Sequence, residues 1–336
     1  MAPPVEPPIP STLTSSCSSI KFNAPKSYAA QDRAVTVEDY KAKVKELYAN
    51  TQSISAWGGE DAETPFYGRV YISINPKSGS TLTQTTKNSI IDSLKRYSVA
   101  SVTPVIVDPE TTNIILTSTV KYDKTATSKT ADTLKSETIE DLTAYNSNTL
   151  QSFDSMLRHS KLIEIIDDVD TSILSNITTL KIRKSFTPTI GSSTNYTVSF
   201  SNALYNPHSG HNASAGGILV SSGFKIGSSA NEYFFDDDGA GNIRRYYLVG
   251  DVRTYADNSA GTIDYSTGAI AINALNMSSI SNIRGLASTV IELTVTPNSN
   301  DIVPLRNQIL NIDVYFLLPS SLLKLIQISS MSIFKR

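Results

Sequence analysis

The sequence predicts an α+β protein: small mixed-sheet α/β modules with an inserted all-β, hairpin-rich module. Three observations carry this. Between Thr36 and Tyr122, apolar residues recur at helical spacing and in alternation, in the order helix, strand, helix, strand, strand. From Phe186 to Asn276, short aromatic or β-branched runs are separated by Gly, Asn and Ser, the pattern of successive hairpins. Two clean alternating strands then follow that stretch, around Ile291–Val295 and Leu310–Phe316. At 336 residues and roughly 150 per domain, about two domains are expected, with a core that needs no disulfide or metal.

Five of the fifteen prolines fall within Met1–Pro10 and a Ser/Thr cluster runs on to Ser19, so residues 1–27 read as an arm or linker. The first α+β module, 28–124, opens with a helix from Thr36 to about Asn50. Thr36-x-x-Asp39 is its capping box, and Val37, Tyr40, Val44, Leu47 and Tyr48 share one face. Arg69–Asn75 is a half-buried strand with Val70, Ile72 and Ile74 on one side, stopped by Pro76. The next helix is expected to be capped by Thr81-x-x-Gln84 and striped by Ile90, Ile91, Leu94 and Tyr97. Val102–Val107 and Ile114–Tyr122 then read as two strands of the same small mixed sheet.

Residues 125–185 read as a helical segment and a strand that open a second α+β module. Leu142, Tyr145, Leu150, Phe153, Leu157, Leu162 and Ile166 fit one long helix or two consecutive ones, and Asn176–Lys184 is the strand. The all-β module, 186–276, interrupts it. Here Tyr196, Val198 and Phe200 alternate, as do Ile263, Tyr265 and, after a Ser266-Thr267-Gly268 turn, Ile270 and Ile272. Strands in 277–318 complete the second module. The tail, 319–336, mixes Leu322, Leu323, Leu325, Ile326 and Ile328 with serines, and fits either a docking peptide or a last core strand.

Lys plus Arg number 29 and Asp plus Glu 31, a net charge of −2, so no electrostatic pull toward nucleic acid or anionic lipid is expected. Charged residues make up only 18%, and roughly a quarter of the chain is Ser or Thr, a mix closer to β-rich virion and adhesin proteins than to a charged enzyme. Cys17 is the single cysteine, which excludes an intrachain disulfide and any thiolate cluster within one chain. No apolar run reaches the roughly 20 residues that span a bilayer, and the proline-rich start lacks the order of a signal peptide.

A search for chemistry returns little. His159, His208 and His211 are the only histidines. His208-x-x-His211 lies in a Gly- and Asn-rich stretch; two imidazoles three apart share a metal only if a third ligand comes from elsewhere, and a polar loop is the expectation. Asp236-Asp237-Asp238-Gly239-Ala240-Gly241-Asn242 lacks the EF-hand order and reads as a hairpin tip, with a bound cation as the rival reading. No phosphate-loop, nucleophile-elbow or zinc-protease motif occurs. The pairs Glu60/Asp61 and Asp167/Asp168 read as solvated helix ends and loops. No catalytic, cofactor-binding or metal residue is therefore assigned. Trp57, in Ser55-Ala56-Trp57-Gly58-Gly59-Glu60, is a core anchor or an interface contact, and Tyr246, Tyr247 and Tyr255 are strand packing or a partner surface.

The stretches Gln31-Asp32-Arg33-Ala34-Val35-Thr36-Val37-Glu38-Asp39-Tyr40, Trp57-Gly58-Gly59-Glu60 and Tyr67-Gly68-Arg69-Val70-Tyr71-Ile72 resemble the baseplate wedge proteins of T-even-like contractile-tail phages and the wider baseplate J-like group. Gly261-Thr262-Ile263-Asp264-Tyr265-Ser266-Thr267-Gly268 resembles a hairpin signature common in phage structural proteins, and Asn298-Ser299-Asn300-Asp301-Ile302-Val303-Pro304 resembles the C-terminal part of the wedge protein. The resemblance runs from about Phe22 to Phe316. It implies a non-enzymatic subunit of the virion tail baseplate, assembled in the host cytoplasm. Copies would form homodimers and join neighbouring copies into a ring around the hub, beside other baseplate wedge proteins and hub or tail-tube proteins. That ring would rearrange on sheath contraction, with no cofactor, no nucleic acid and no membrane. Contacts are expected at Trp57 and Glu60, at Tyr246 and Tyr247, and at Leu322, Leu325 and Ile328 in the tail. The rival readings are a glycan- or receptor-binding virion module in 186–276 and a cell-wall hydrolase using paired carboxylates.

Overall fold

The computed structural model describes residues 33–62, 65–79, 81–99, 101–211 and 217–313, together with Pro25, Tyr28 and the backbone of Leu323–Ile328. By its internal contacts the chain divides into two compact units, Met1–Pro109 and Glu110–Arg336.

In the first unit, helix α1 (Val37–Leu47) starts at Thr36. The Thr36 hydroxyl accepts from the Asp39 amide while the Asp39 carboxylate accepts from the Thr36 amide at 2.9 Å, so two orphan donors are satisfied reciprocally. Strands β1 (Thr51–Gly58), β2 (Arg69–Pro76) and β3 (Thr103–Val107) form a sheet in that order. β1 runs antiparallel to β2, and β3 parallel to β2 after a crossover through helix α2 (Gln84–Leu94). One core joins helices and sheet: Tyr40 and Val44 of α1 and Ile90 and Leu94 of α2 with Val70, Ile72 and Ile74. One strand here was not expected, and one cap is corrected. β1 begins Thr51-Gln52-Ser53, too polar to announce a strand, and α2 is capped by Thr83, whose hydroxyl accepts from the Thr86 amide, instead of by Thr81.

The second unit opens with β4 (Glu110–Asp123), expected in the first module. It pairs along its length with β5 (Ile173–Phe186), antiparallel, and so belongs to another sheet. Between them lie two consecutive helices, α3 (Ala131–Tyr145), extended by a π-helical turn at Asn146–Leu150, and α4 (His159–Asp167). They lay Leu134, Leu142, Leu162 and Ile166 into the interior. β14 (Ile291–Val295) joins β5 and β15 (Gln308–Ile312) joins β4 in parallel, so strands after the interruption complete the sheet begun before it. β15 ends at Ile312, and Val314 and Phe316 of the expected strand lie outside the described residues. β16 (Leu323–Ile328) also runs parallel along β4, so this part of the tail is a strand of the sheet.

The interrupting stretch forms a seven-stranded antiparallel sheet. Its order is β13 (Ser279–Ile280), β8 (Phe224–Lys225), β9 (Tyr233–Asp237), β10 (Asn242–Val249), β11 (Val252–Asp264), β12 (Ala269–Leu275) and β6 (Thr194–Ser199). A short strand, β7 (Val220–Ser221), leaves this stretch to pair with β14. Phe200, Phe224, Phe235, Ile243 and Ile270 share one continuous core with Leu116, Leu180, Ile182 and Leu293 of the other sheet. The all-β stretch is therefore a layer of the second unit, not a separate body, because its aromatic faces are buried only against that sheet and its helices.

Candidate functional site

Alternation along β1 and β2 sends Ala56, Val70, Ile72 and Ile74 to the helices and Trp57 and Tyr71 to the opposite face. Trp57 pairs directly with Tyr71 across the strands, and their rings stack at 5.9 Å between centroids. Trp57 is thus half-buried on the outward face, which corrects the reading of it as a core anchor. Glu60 is exposed on the 3₁₀ turn that follows. Gly59 is required there: an added Cβ would collide with the Phe66 carbonyl, while the Phe66 amide donates to the Gly59 carbonyl at 2.9 Å. The same edge carries Phe66, with the Arg69 guanidinium 3.7 Å from its ring centroid, and Tyr67, which is 79% exposed. Phe66 and Tyr67 went unassigned in the sequence because they sit in a loop; only Arg69 and Tyr71, on the outward side of the expected strand, were legible.

The aspartate run is a hairpin tip between β9 and β10, with Gly239 and Gly241 at positive φ. Its carboxylates are already engaged. Asp236, almost fully buried, accepts from Arg244 Nε at 2.9 Å, Arg253 Nη1 at 2.8 Å and the Tyr255 hydroxyl at 3.0 Å. Asp237 accepts from the Leu219 amide at 2.8 Å and the Tyr265 hydroxyl at 2.6 Å. Burial alone would raise the Asp238 carboxyl, but donors from Asn242 and Ala240 outweigh it and hold the group below its ordinary value. Burial raises the Tyr255 phenol, and its hydrogen bond to Asp236 raises it further; Tyr265 is pushed up by burial and then by Asp237. These contacts leave the three carboxylates committed to structure instead of to a cation.

Tyr246 is buried within this network. It stacks on Phe234 at 5.7 Å and lies under the Arg253 guanidinium at 4.7 Å, so the expectation of a partner contact there is corrected: the ring holds the sheet together. Tyr247, on the other face, is half-buried against Tyr233 at 5.7 Å. In the tail, Leu325 and Ile328 stand opposite Val120 and Asp123 of β4, and Leu322 lies outside the described residues.

His159 starts α4. Its amide donates to Asp301 at 2.8 Å and its ring Nε2 lies 3.0 Å from the Thr178 carbonyl on the edge of β5. Asp167 accepts from Asn176 Nδ2 at 2.7 Å. His208 and His211 come together on an exposed loop, ring nitrogens 3.2 Å apart. Among the described residues no group of three or more His, Cys, Asp or Glu could hold a metal ion, and no helix is long and apolar enough to cross a membrane.

Each of the two units is a layered α+β body, and in the second the buried Asp236 and Asp237 are held by hydrogen bonds from neighbouring strands and loops. Residues 36–107 match the family described as baseplate structural protein gp6, C-terminal domain I, and residues 110–185 match that protein's C-terminal domain III. Over these two segments the chain is similar to the C-terminal part of baseplate structural proteins. It is 28% identical over 153 residues to baseplate wedge protein gp6 of Enterobacteria phage T4, an alignment spanning 45% of this chain and 23% of that protein. Among solved structures, a chain of the 6-fold symmetrised cryo-EM structure of the anti-feeding prophage baseplate aligns over 48% of this chain and 36% of its own length. Its identity is 12% and its TM-score 0.39. The boundary between the two family matches, 107 to 110, coincides with the division of the chain into units at Pro109–Glu110.

Proposed function

We propose that this chain is a structural subunit of a phage tail baseplate that forms dimers and links wedges into a ring around the hub. The observation that carries the reading is the pair of consecutive matches to baseplate structural protein gp6, each coextensive with a folded segment: 36–107 with the first unit's helices and sheet, 110–185 with β4 through β5. In this reading the units keep their folds while the contacts between subunits rearrange on sheath contraction. Trp57, Glu60 and Tyr247 are its contact residues with neighbouring copies, other wedge proteins or the hub. Their half-buried or exposed rings and charge suit interfaces that anchor on aromatics. No substrate is turned over.

The test is electron microscopy of native particles with the chain labelled, together with the mass of the purified protein in solution. A continuous ring of label at the tail base and a dimer or larger species are the expected results. A label confined to fibres or capsid, with a strictly monomeric protein, would refute the proposal.

A further inference from the structure

The loop after β6 holds two imidazoles that contact each other and take no part in the hydrogen bonds of Asp236, Asp237 and Asp238. Tyr205 to His211 is pinned onto the β9–β10 hairpin tip: Gly210 N donates to the Gly239 carbonyl at 2.9 Å and Asn206 Nδ2 donates to the same oxygen at 3.1 Å. The His211 amide closes a turn on the His208 carbonyl at 3.1 Å, and Gly239 has no room for a Cβ because the His211 carbonyl sits against it. The two side chains are thus presented from an anchored turn.

Within it, His208 Nε2 and His211 Nδ1 lie 3.2 Å apart, with ring planes nearly perpendicular. His208 Nδ1 lies 3.2 Å from the Ser209 carbonyl, a contact that fits the Nδ1–H tautomer and leaves the Nε2 lone pair facing its neighbour. With metal–imidazole bonds of about 2.0–2.1 Å, two ligands on a tetrahedral ion stand about 3.4 Å apart. The observed separation is close to that edge. Asn206 Oδ1, in the same loop, is buried and has no hydrogen-bond partner among the described residues, an oxygen not yet committed.

We propose that His208 and His211 form a two-imidazole site for a divalent transition-metal ion of the Zn²⁺ class, with its remaining positions open to water or to an oxygen ligand. Imidazole pairs select such ions over Mg²⁺ and Ca²⁺, which prefer all-oxygen shells. The site is independent of the baseplate reading, since it rests on the loop alone.

The chain has three histidines, so their ring-proton NMR signals can be followed individually during a Zn²⁺ titration of tag-free protein. The expected result is saturation at one ion per chain. The His208 and His211 signals shift and the His159 signal stays, with affinity at least about tenfold lower in His208→Gln and in His211→Gln. His208 is exposed and His211 half-buried, so the variants should stay close to the wild-type melting temperature; the wild-type titration decides the matter even if one does not fold. Unchanged His208 and His211 signals at millimolar Zn²⁺, or binding undiminished in both variants, would overturn the proposal.

Discussion

Replacing Asp236 by alanine removes the carboxylate on which three donors of the β9–β10–β11 sheet converge. Asp236 is 1% exposed, and its partners Arg244, Arg253 and Tyr255 would each lose a hydrogen bond to a carboxylate, Arg244 keeping its bond to the Asp237 carbonyl at 2.9 Å. Breaking a buried pair on one side costs about 3–5 kcal/mol, chiefly through the stranded charge. Most of that cost falls on Arg244, which is deeply buried; Arg253 is about a third exposed, so water relieves it. For a unit of this size, about 2–4 °C of melting temperature per kcal/mol converts the loss to roughly 6–20 °C. Scanning calorimetry of the full chain is the assay. Tyr255→Phe, which removes one hydrogen bond to a charged acceptor, should cost about 1.5–3 kcal/mol. Asp251→Ala in the exposed turn should stay within about 0.5 kcal/mol. A drop below about 2 °C for Asp236→Ala would refute the argument that this carboxylate organises the sheet.

Gly59→Ala should destabilise the first unit by about 2 kcal/mol, read by the fluorescence of Trp57, the sole tryptophan, during urea unfolding. Gly79→Ala, at φ +89° with open space around the added methyl, should show only the conformational cost, about 1 kcal/mol. Asp264, held by the Ser266 and Thr267 hydroxyls and the Ser266 amide, should titrate at about 2 by NMR, against an ordinary 3.8; Ser266→Ala should raise it. Because that folded value is depressed, its stabilisation is present above pH 4 and lost as the pH falls toward 2. The Tyr265 phenol is raised above its ordinary 10.0, so its contribution is complete below pH 10 and declines above it; Tyr265→Phe should flatten the alkaline fall in melting temperature. Trp57→Ala should leave the first unit folded, since the ring faces outward, and weaken subunit association at least about tenfold in sedimentation.

The helices and strands with strong periodicity were legible: the Thr36 capping box and the buried faces of Val70–Ile74 and Ile291–Val295 follow directly from residue spacing. Local pattern could not assign strands to sheets. β3 and β4 are separated by two residues, Asp108 and Pro109, yet enter different sheets, because β4 is 14 residues long and only β5 matches its length. Burial of polar side chains was equally hidden. Asp236 and Asp237 read as part of a hairpin tip, and their burial was hidden because their partners Arg253, Tyr255, Leu219 and Tyr265 are at least 17 positions away in sequence. Tyr246 was misjudged for the same reason, its stacking partners being set by strand register.

The topology of the inserted stretch bears on how such a subunit could carry load. It leaves the six-stranded sheet at Phe186 and, apart from the short β7, returns at Ile291, and those two residues face each other across β5 and β14, so the parent sheet stays continuous. The neck is ionic. Arg183 reaches Asp313 and Glu292, Arg284 pairs with Glu292 at 2.9 Å, and Lys184 bonds Glu110 at 2.9 Å and the Ser199 carbonyl at 2.6 Å. Buried pairs of this kind add little net stability over apolar packing, but a one-residue slip of β5 would turn Arg183 to the opposite face and strand its charge. Register at the neck is therefore tightly specified, and the shared core behind it fixes the second sheet on the first. A unit built this way resists internal hinging, so any rearrangement the proposed role demands falls outside this unit.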